Sequence, residues 1–167
     1  MHFFALVLAL VVTPAHGFDY QFGTWNVHVS RLTRDAAGLS KWVRYAGTHT
    51  VVPLWHRRAN IGVLEVHGPA GRIEGMQLRL FDPATGCWKL SFASSTDGEL
   101  QSPSAGSFHD GVGDFRSTDR VNGKHVIVRS LSTTTSPTSY RDVIARSYDN
   151  GRTRTPVWIA NYEKRLQ

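Results

Sequence analysis

From Phe18 onward, apolar and polar residues alternate in short runs broken by turn signals, and nowhere do apolar residues recur at helical spacing over several turns. Trp25, Val27 and Val29 share one face of a segment whose other face carries Asn26, His28 and Ser30. Met76, Leu78 and Leu80 oppose Gln77, Arg79 and Phe81, and Trp88, Leu90 and Phe92 oppose Lys89 and Ser91. A period of two is the signature of a strand with unlike faces, although it does not say which face is buried. The breaks are Asp35-Ala36-Ala37-Gly38, Gly68-Pro69-Ala70-Gly71, Asp82-Pro83-Ala84-Thr85-Gly86, Asp97-Gly98, Asp110-Gly111, Asn122-Gly123 and Asp149-Asn150-Gly151. Their residues tolerate positive φ or bond their own backbone. Strands are predicted near Thr24–Arg34, Lys41–Val51, Asn60–His67, Arg72–Phe81, Trp88–Ser95, Ala105–His109, Gly113–Thr118, His125–Ser132, Ser139–Ser147 and Pro156–Lys164. About ten strands on hairpin-length turns make an all-β, antiparallel sandwich or barrel. Pro156 has to start a strand or lie on an edge, since it has no N–H for a ladder.

The first residues follow another rule. Phe3 to Val12 is an unbroken apolar run, then come Thr13-Pro14 and Ala15-His16-Gly17. This is the layout of a signal peptide over residues 1–17, too short to span a bilayer comfortably, which leaves 18–167 as one exported domain, periplasmic or secreted. No later stretch is apolar enough for stable membrane insertion. At 41% hydrophobic and 19% charged residues, the chain is ordinary globular protein. The net charge of +6 would suit an anionic partner, but the basic residues are scattered, with Arg57-Arg58 and Lys164-Arg165 the adjacent pairs. No nucleic-acid partner is predicted. Cys87 is the single cysteine, so no internal disulfide forms, and it reads as a small buried hydrophobe. Nothing in the sequence sets an oligomeric state.

Gly23-Thr24-Trp25 resembles the Gly-x-Trp opening of lipocalin-like (calycin) barrels. Further stretches are similar to a poorly characterised bacterial group of lipocalin-like domain proteins: Arg58-Ala59-Asn60, Leu78 through Trp88, Gly106-Ser107-Phe108 with Asp110-Gly111, and the Ser147–Gly151 turn. The resemblance implies an up-and-down barrel whose tryptophan plugs the closed end, with Lys164 or Arg165 stacked on that ring. The chain departs from the group at Asp142-Val143-Ile144-Ala145-Arg146 and at Arg154-Thr155.

Candidate chemistry is sparse. The eight histidines form no His-x-His, His-x-x-x-His or His-Glu-x-x-His, so no metal site is predicted. Haem on one histidine occurs in related barrels, but their glycine-rich strand opening is missing after Trp25, and no cofactor is predicted. No nucleophile elbow or phosphate-binding glycine loop is present. Glu74, His49 and Tyr45 could serve acid–base work, although no spacing selects them. Arg44, Arg79 and Arg129 fall inside predicted strands; they suit a solvated outer face, or a lumen where a guanidinium grips an acid. With Trp42, Tyr45 and His49 they form the candidate ligand site. The expected function is binding of a small hydrophobic or amphipathic ligand, acids included. The alternative is an enzyme, an isomerase or hydrolase, acting on a substrate held in the lumen.

Overall fold

The computed structural model describes residues 14–34 and 37–165. Ten antiparallel strands follow one another around a closed barrel: β1 (Gly23–Arg34), β2 (Ser40–Leu54), β3 (Ala59–Gly68), β4 (Gly71–Asp82), β5 (Cys87–Ser94), β6 (Ser104–His109), β7 (Val112–Val121), β8 (Lys124–Ser136), β9 (Ser139–Ser147) and β10 (Thr155–Lys164), which pairs back on β1. The helices present among the described residues are three-residue 3-10 turns at Pro14–His16, Asp19–Gln21 and Trp55–Arg57. The apolar run Phe3–Val12 lies outside the described residues.

The turn signals act as their chemistry requires. Asp110-Gly111 and Asn122-Gly123 both hold positive φ at each position (50° and 77°, 52° and 76°), the two-residue hairpin turn that matches strand twist. β2 runs past the expected Val51 to Leu54, through Pro53. Gly23 of β1 pairs with Val51, so Pro53 lies beyond β1 and has only Asn60 of β3 across from it. A missing N–H costs little there. Pro156 stands second in β10, before a register shift between Pro156 and Trp158.

The N-terminal segment closes one end. Phe18 is 2% exposed, with ring centroids 5.0 Å from Trp88, 4.8 Å from Phe108 and 5.5 Å from Phe115. Gly17 packs so tightly on Phe108 that a Cβ there would lie 2.2 Å from the ring. Trp25 donates from Nε1 to the Gln21 carbonyl at 2.7 Å, and Lys164 Nζ sits 5.5 Å from its ring centre, a cation–π contact joining the first and last strands. The connections joining β1 to β2, β3 to β4, β5 to β6, β7 to β8 and β9 to β10 gather at the opposite end, the mouth.

Candidate functional site

On β4 the side chains of Gln77 and Arg79 point inward, and the apolar set Met76, Leu78 and Leu80 points out, with Met76 39% exposed. Arg79 is thereby carried to the barrel floor, where it is 1% exposed. Its Nε donates to Gln77 Oε1 at 2.8 Å, its Nη1 to Asn60 Oδ1 at 2.9 Å, and its guanidinium lies 4.7 Å from the centre of the Phe18 ring. No carboxylate contacts it among the described residues. The charge is held by neutral acceptors and a π face, the arrangement a buried cation needs when it lacks an ion-pair partner. Beside it, His49 is brought in by Gly62, where a Cβ would fall 2.6 Å from His49 Nε2 and 3.5 Å from Arg79 Nη2. Any larger residue at 62 would push the two groups off the wall.

A second set of polar side chains lies between β8, β9 and the N-terminal segment. Ser132 Oγ donates to Asp142 Oδ1 at 2.5 Å. Since a hydroxyl has one proton to give, Ser132 accepts from Tyr20 OH at 2.7 Å and from Gln21 Nε2 at 2.9 Å. The Tyr162 hydroxyl also bonds Asp142, and Tyr162 stacks on Tyr140 with centroids 4.1 Å apart and planes 10° off parallel. Tyr140 OH in turn bonds His49 Nδ1 at 2.9 Å, so the chain of contacts crosses the barrel.

Burial governs the charge states. It lowers His49 to about 3, with the Arg79 charge pushing the same way, so this imidazole is neutral at physiological pH. It raises the Asp142 carboxyl, against the opposing pull of the Ser132 hydrogen bond and of Arg79. Tyr20, Tyr140 and Tyr162 are likewise pushed up, chiefly by burial. The lumen thus holds one carboxyl that keeps its proton to higher pH than usual and one histidine that refuses it. Among the described residues no three His, Cys, Asp or Glu side chains gather as a metal cage.

The two sides of the lumen differ in access. Inward residues of β1 to β3 are sealed: Val27 and Val29 at 1% exposure, Tyr45 at 5%, Leu64 at 8%, Val66 at 0%. Inward residues of β4 to β9 further up are half-buried, namely Gln77, Phe92, Ser130, Asp142, Ile144 and Arg146. Solvent reaches these inward side chains from the mouth or from the gap between β5 and β6, while Val126, inward at the upper end of β8, is sealed. The wall is also thin here. β5 and β6 share three residue pairs, Trp88–Gly106, Lys89–Ala105 and Leu90–Ser104. At the upper edge of β6 an open groove of about 510 Å³ is lined by Ser102, Pro103, Arg116, Ser117, Thr118 and Ile127. A second, of about 290 Å³, runs along β3 to β5 past Val63, Met76 and Ala93.

The predicted site residues separate accordingly. Arg79 and His49 face inward and meet at Gly62. Tyr45 is inward too, in the apolar core with Val29, Val43 and Val66. Trp42, Arg44 and Arg129 face outward: Trp42 is 46% exposed, and Arg129 grips Asp114 with two bonds, Nε to Oδ1 at 2.9 Å and Nη2 to Oδ2 at 3.0 Å. Glu74 is on the outer face in an ion pair with Arg72. Cys87 is half-buried at the start of β5. The sequence marked Asp142 and Arg146 only as departures from the lipocalin-like group, and it offered none of Asn60, Gln77, Ser132, Tyr140 or Tyr162 as a site residue. The usable signal was the period of two along β9, which puts Tyr140, Asp142, Ile144 and Arg146 on one face.

No protein-family model matches the chain. No curated protein matches it either. Among solved structures it is similar to the S-type phycobiliprotein lyase CPES from Guillardia theta, at 9% identity and a TM-score of 0.65, covering 94% of this chain and 95% of that one. It also aligns with a redesigned β-barrel bound to DFHBI, at 12% identity and a TM-score of 0.48, covering 87% of this chain and 99% of that one. What the chain shares with the lyase, at so low an identity, is the antiparallel β-barrel fold.

Proposed function

We propose that the protein is an exported, lipocalin-like barrel that takes a small hydrophobic or amphipathic molecule into its lumen. The observation that carries this reading is the inner wall of β4 to β9, where Gln77, Phe92, Ser130, Asp142 and Ile144 point inward yet remain half-buried. Apolar walls with a few placed polar groups are the usual make-up of a small-molecule site. Kinship with lipocalin-like proteins is supported by the Gly23-Thr24-Trp25 opening and by Lys164 on the Trp25 ring. Export is supported by the Phe3–Val12 run and the small residues before Phe18. Native mass spectrometry of the chain against a lipophile panel, with tryptophan fluorescence as a second readout, tests the binding. One-to-one adducts and quenched or shifted emission are expected; a panel that leaves mass and emission unchanged refutes the reading. Expression from the native start should yield Phe18 as the first residue, read by N-terminal sequencing; an intact Met1 terminus in the exported fraction contradicts it.

One observation favours a second reading, an enzyme on the same barrel. Asp142 has its pKa raised by burial, is bonded by Ser132 and Tyr162, and stands on the accessible wall. A carboxyl so placed can act as a general acid on a bound substrate. Asp142→Asn would then abolish turnover while ligand still binds; unchanged turnover removes Asp142 from the chemistry.

A further inference from the structure

We infer that Arg146 is the seat of an acidic head group, so that the lumen ligand is an amphiphile ending in a carboxylate or phosphate; this rests on the binding function proposed above. Arg146 lies on β9 with Tyr140, Asp142 and Ile144 on the inward face, across from Val128 of β8. It is half-buried, and its Nε is buried without a hydrogen-bond partner among the described residues. Arg79, the other guanidinium of the inner wall with its head buried, is held by Gln77, Asn60 and Phe18. Arg129, Arg72 and Arg57 are paired with Asp114, Glu74 and Asp19. Arg146 has no such assignment, and a guanidinium N–H hidden from water without an acceptor costs stability unless something fills the place.

Its surroundings suit an amphiphile. Ile144 and Val128 flank it, and Trp158, which pairs with Ile144, packs on the core below. Val128 pairs in turn with Ser117, which borders the groove of about 510 Å³ beside β6. The mouth above is rich in cations: Arg31, Arg34, Lys41, Arg120, Lys124 and Arg154 on its strands and turns, against Asp97, Glu99, Asp119 and Asp149. Of these acids, Asp149 is tied up by Ser147 and Thr153. Such a rim draws anions inward, and a guanidinium fork matches the two oxygens of a carboxylate or phosphate.

Binding of dodecanoate, dodecyl phosphate and dodecanol to the full chain, followed by tryptophan emission and calorimetry, separates head group from tail. Both acids should bind about tenfold or more tighter than the alcohol, a margin that shrinks at high salt. Arg146→Gln should erase the margin with dodecanol affinity unchanged, Arg146→Lys should keep part of it, and Arg44→Gln, on the outer face, should leave it intact. If all three bind alike, or if Arg146→Gln and Arg146→Lys both keep the full margin, Arg146 is not the seat although the lumen still binds. If none of the three binds, the binding function falls and this assignment with it.

Discussion

The two sides of this barrel are built from the same alternation of residues, and they do different work. Along β1 to β3 most inward positions, Trp25, Val27, Val29, Val43, Tyr45, Leu64 and Val66, pack into one apolar cluster, with His49 and Asn60 as buried polar exceptions toward the floor. Along β4 to β9 they are Gln77, Arg79, Ser130, Ser132, Asp142 and Arg146, interleaved with Phe92 and Ile144. The first side supplies stability by burial. The second trades packing for polar groups and access, since an unfilled lumen forfeits contact energy. Binding sites are found where such a trade has been made, and here the half-buried polar groups lie on the β4 to β9 wall.

Truncation should show the difference most strongly. Leu64→Ala on the sealed side should cost about 2–5 kcal/mol in urea unfolding, as large-to-small changes in packed cores do. Ile144→Ala on the accessible side should cost less than about half of that, because its site is only half enclosed. Equal losses would mean that the two walls are packed alike.

Acid sharpens the contrast through His49. Its folded pKa of about 3 lies below the unfolded value of 6.5, so the stability it contributes is present above pH 6.5 and lost as pH falls toward 3. At pH 5 the loss relative to pH 8 should be about 2 kcal/mol, and His49→Gln should remove that part of the slope. A variant whose stability falls with acid as the parent's does would place His49 in water.

Asp142 has the opposite sign. Its folded pKa is raised, so its favourable contribution is full at low pH and is lost as pH climbs through the folded value. The stability of Asp142→Asn relative to the parent should therefore improve as pH rises above the ordinary carboxylate value of 3.8. A flat difference would contradict the buried carboxyl.

Much of the fold was legible because turn chemistry is local. Asp110-Gly111 and Asn122-Gly123 mark hairpins whatever surrounds them, and the ten strands fell where the breaks put them. β1 could be read as to face as well, since its apolar side is also its buried side. β4 could not. Met76, Leu78 and Leu80 look like a core stripe, but the barrel turns them outward beside Val63 and sends Gln77 and Arg79 in. An arginine in a strand reads the same on either face, so Arg79 and Arg129 were equal candidates until register separated them. The Ser132–Asp142 contact joins residues ten apart, and His49 meets Tyr140 across 91 positions. The first pair is set by the register of the β8–β9 hairpin, the second by barrel closure, which no local window contains.

The account depends on one wall being open to solvent and the other closed. In a Cys87→Ser background, the rate at which a small maleimide labels Ser130→Cys and Val27→Cys tests this directly. The inward thiol at 130 should react at a rate approaching that of a free thiol, and the one at 27 only through global unfolding, orders of magnitude more slowly. Comparable slow rates at both positions would show a lumen packed throughout and contradict the account.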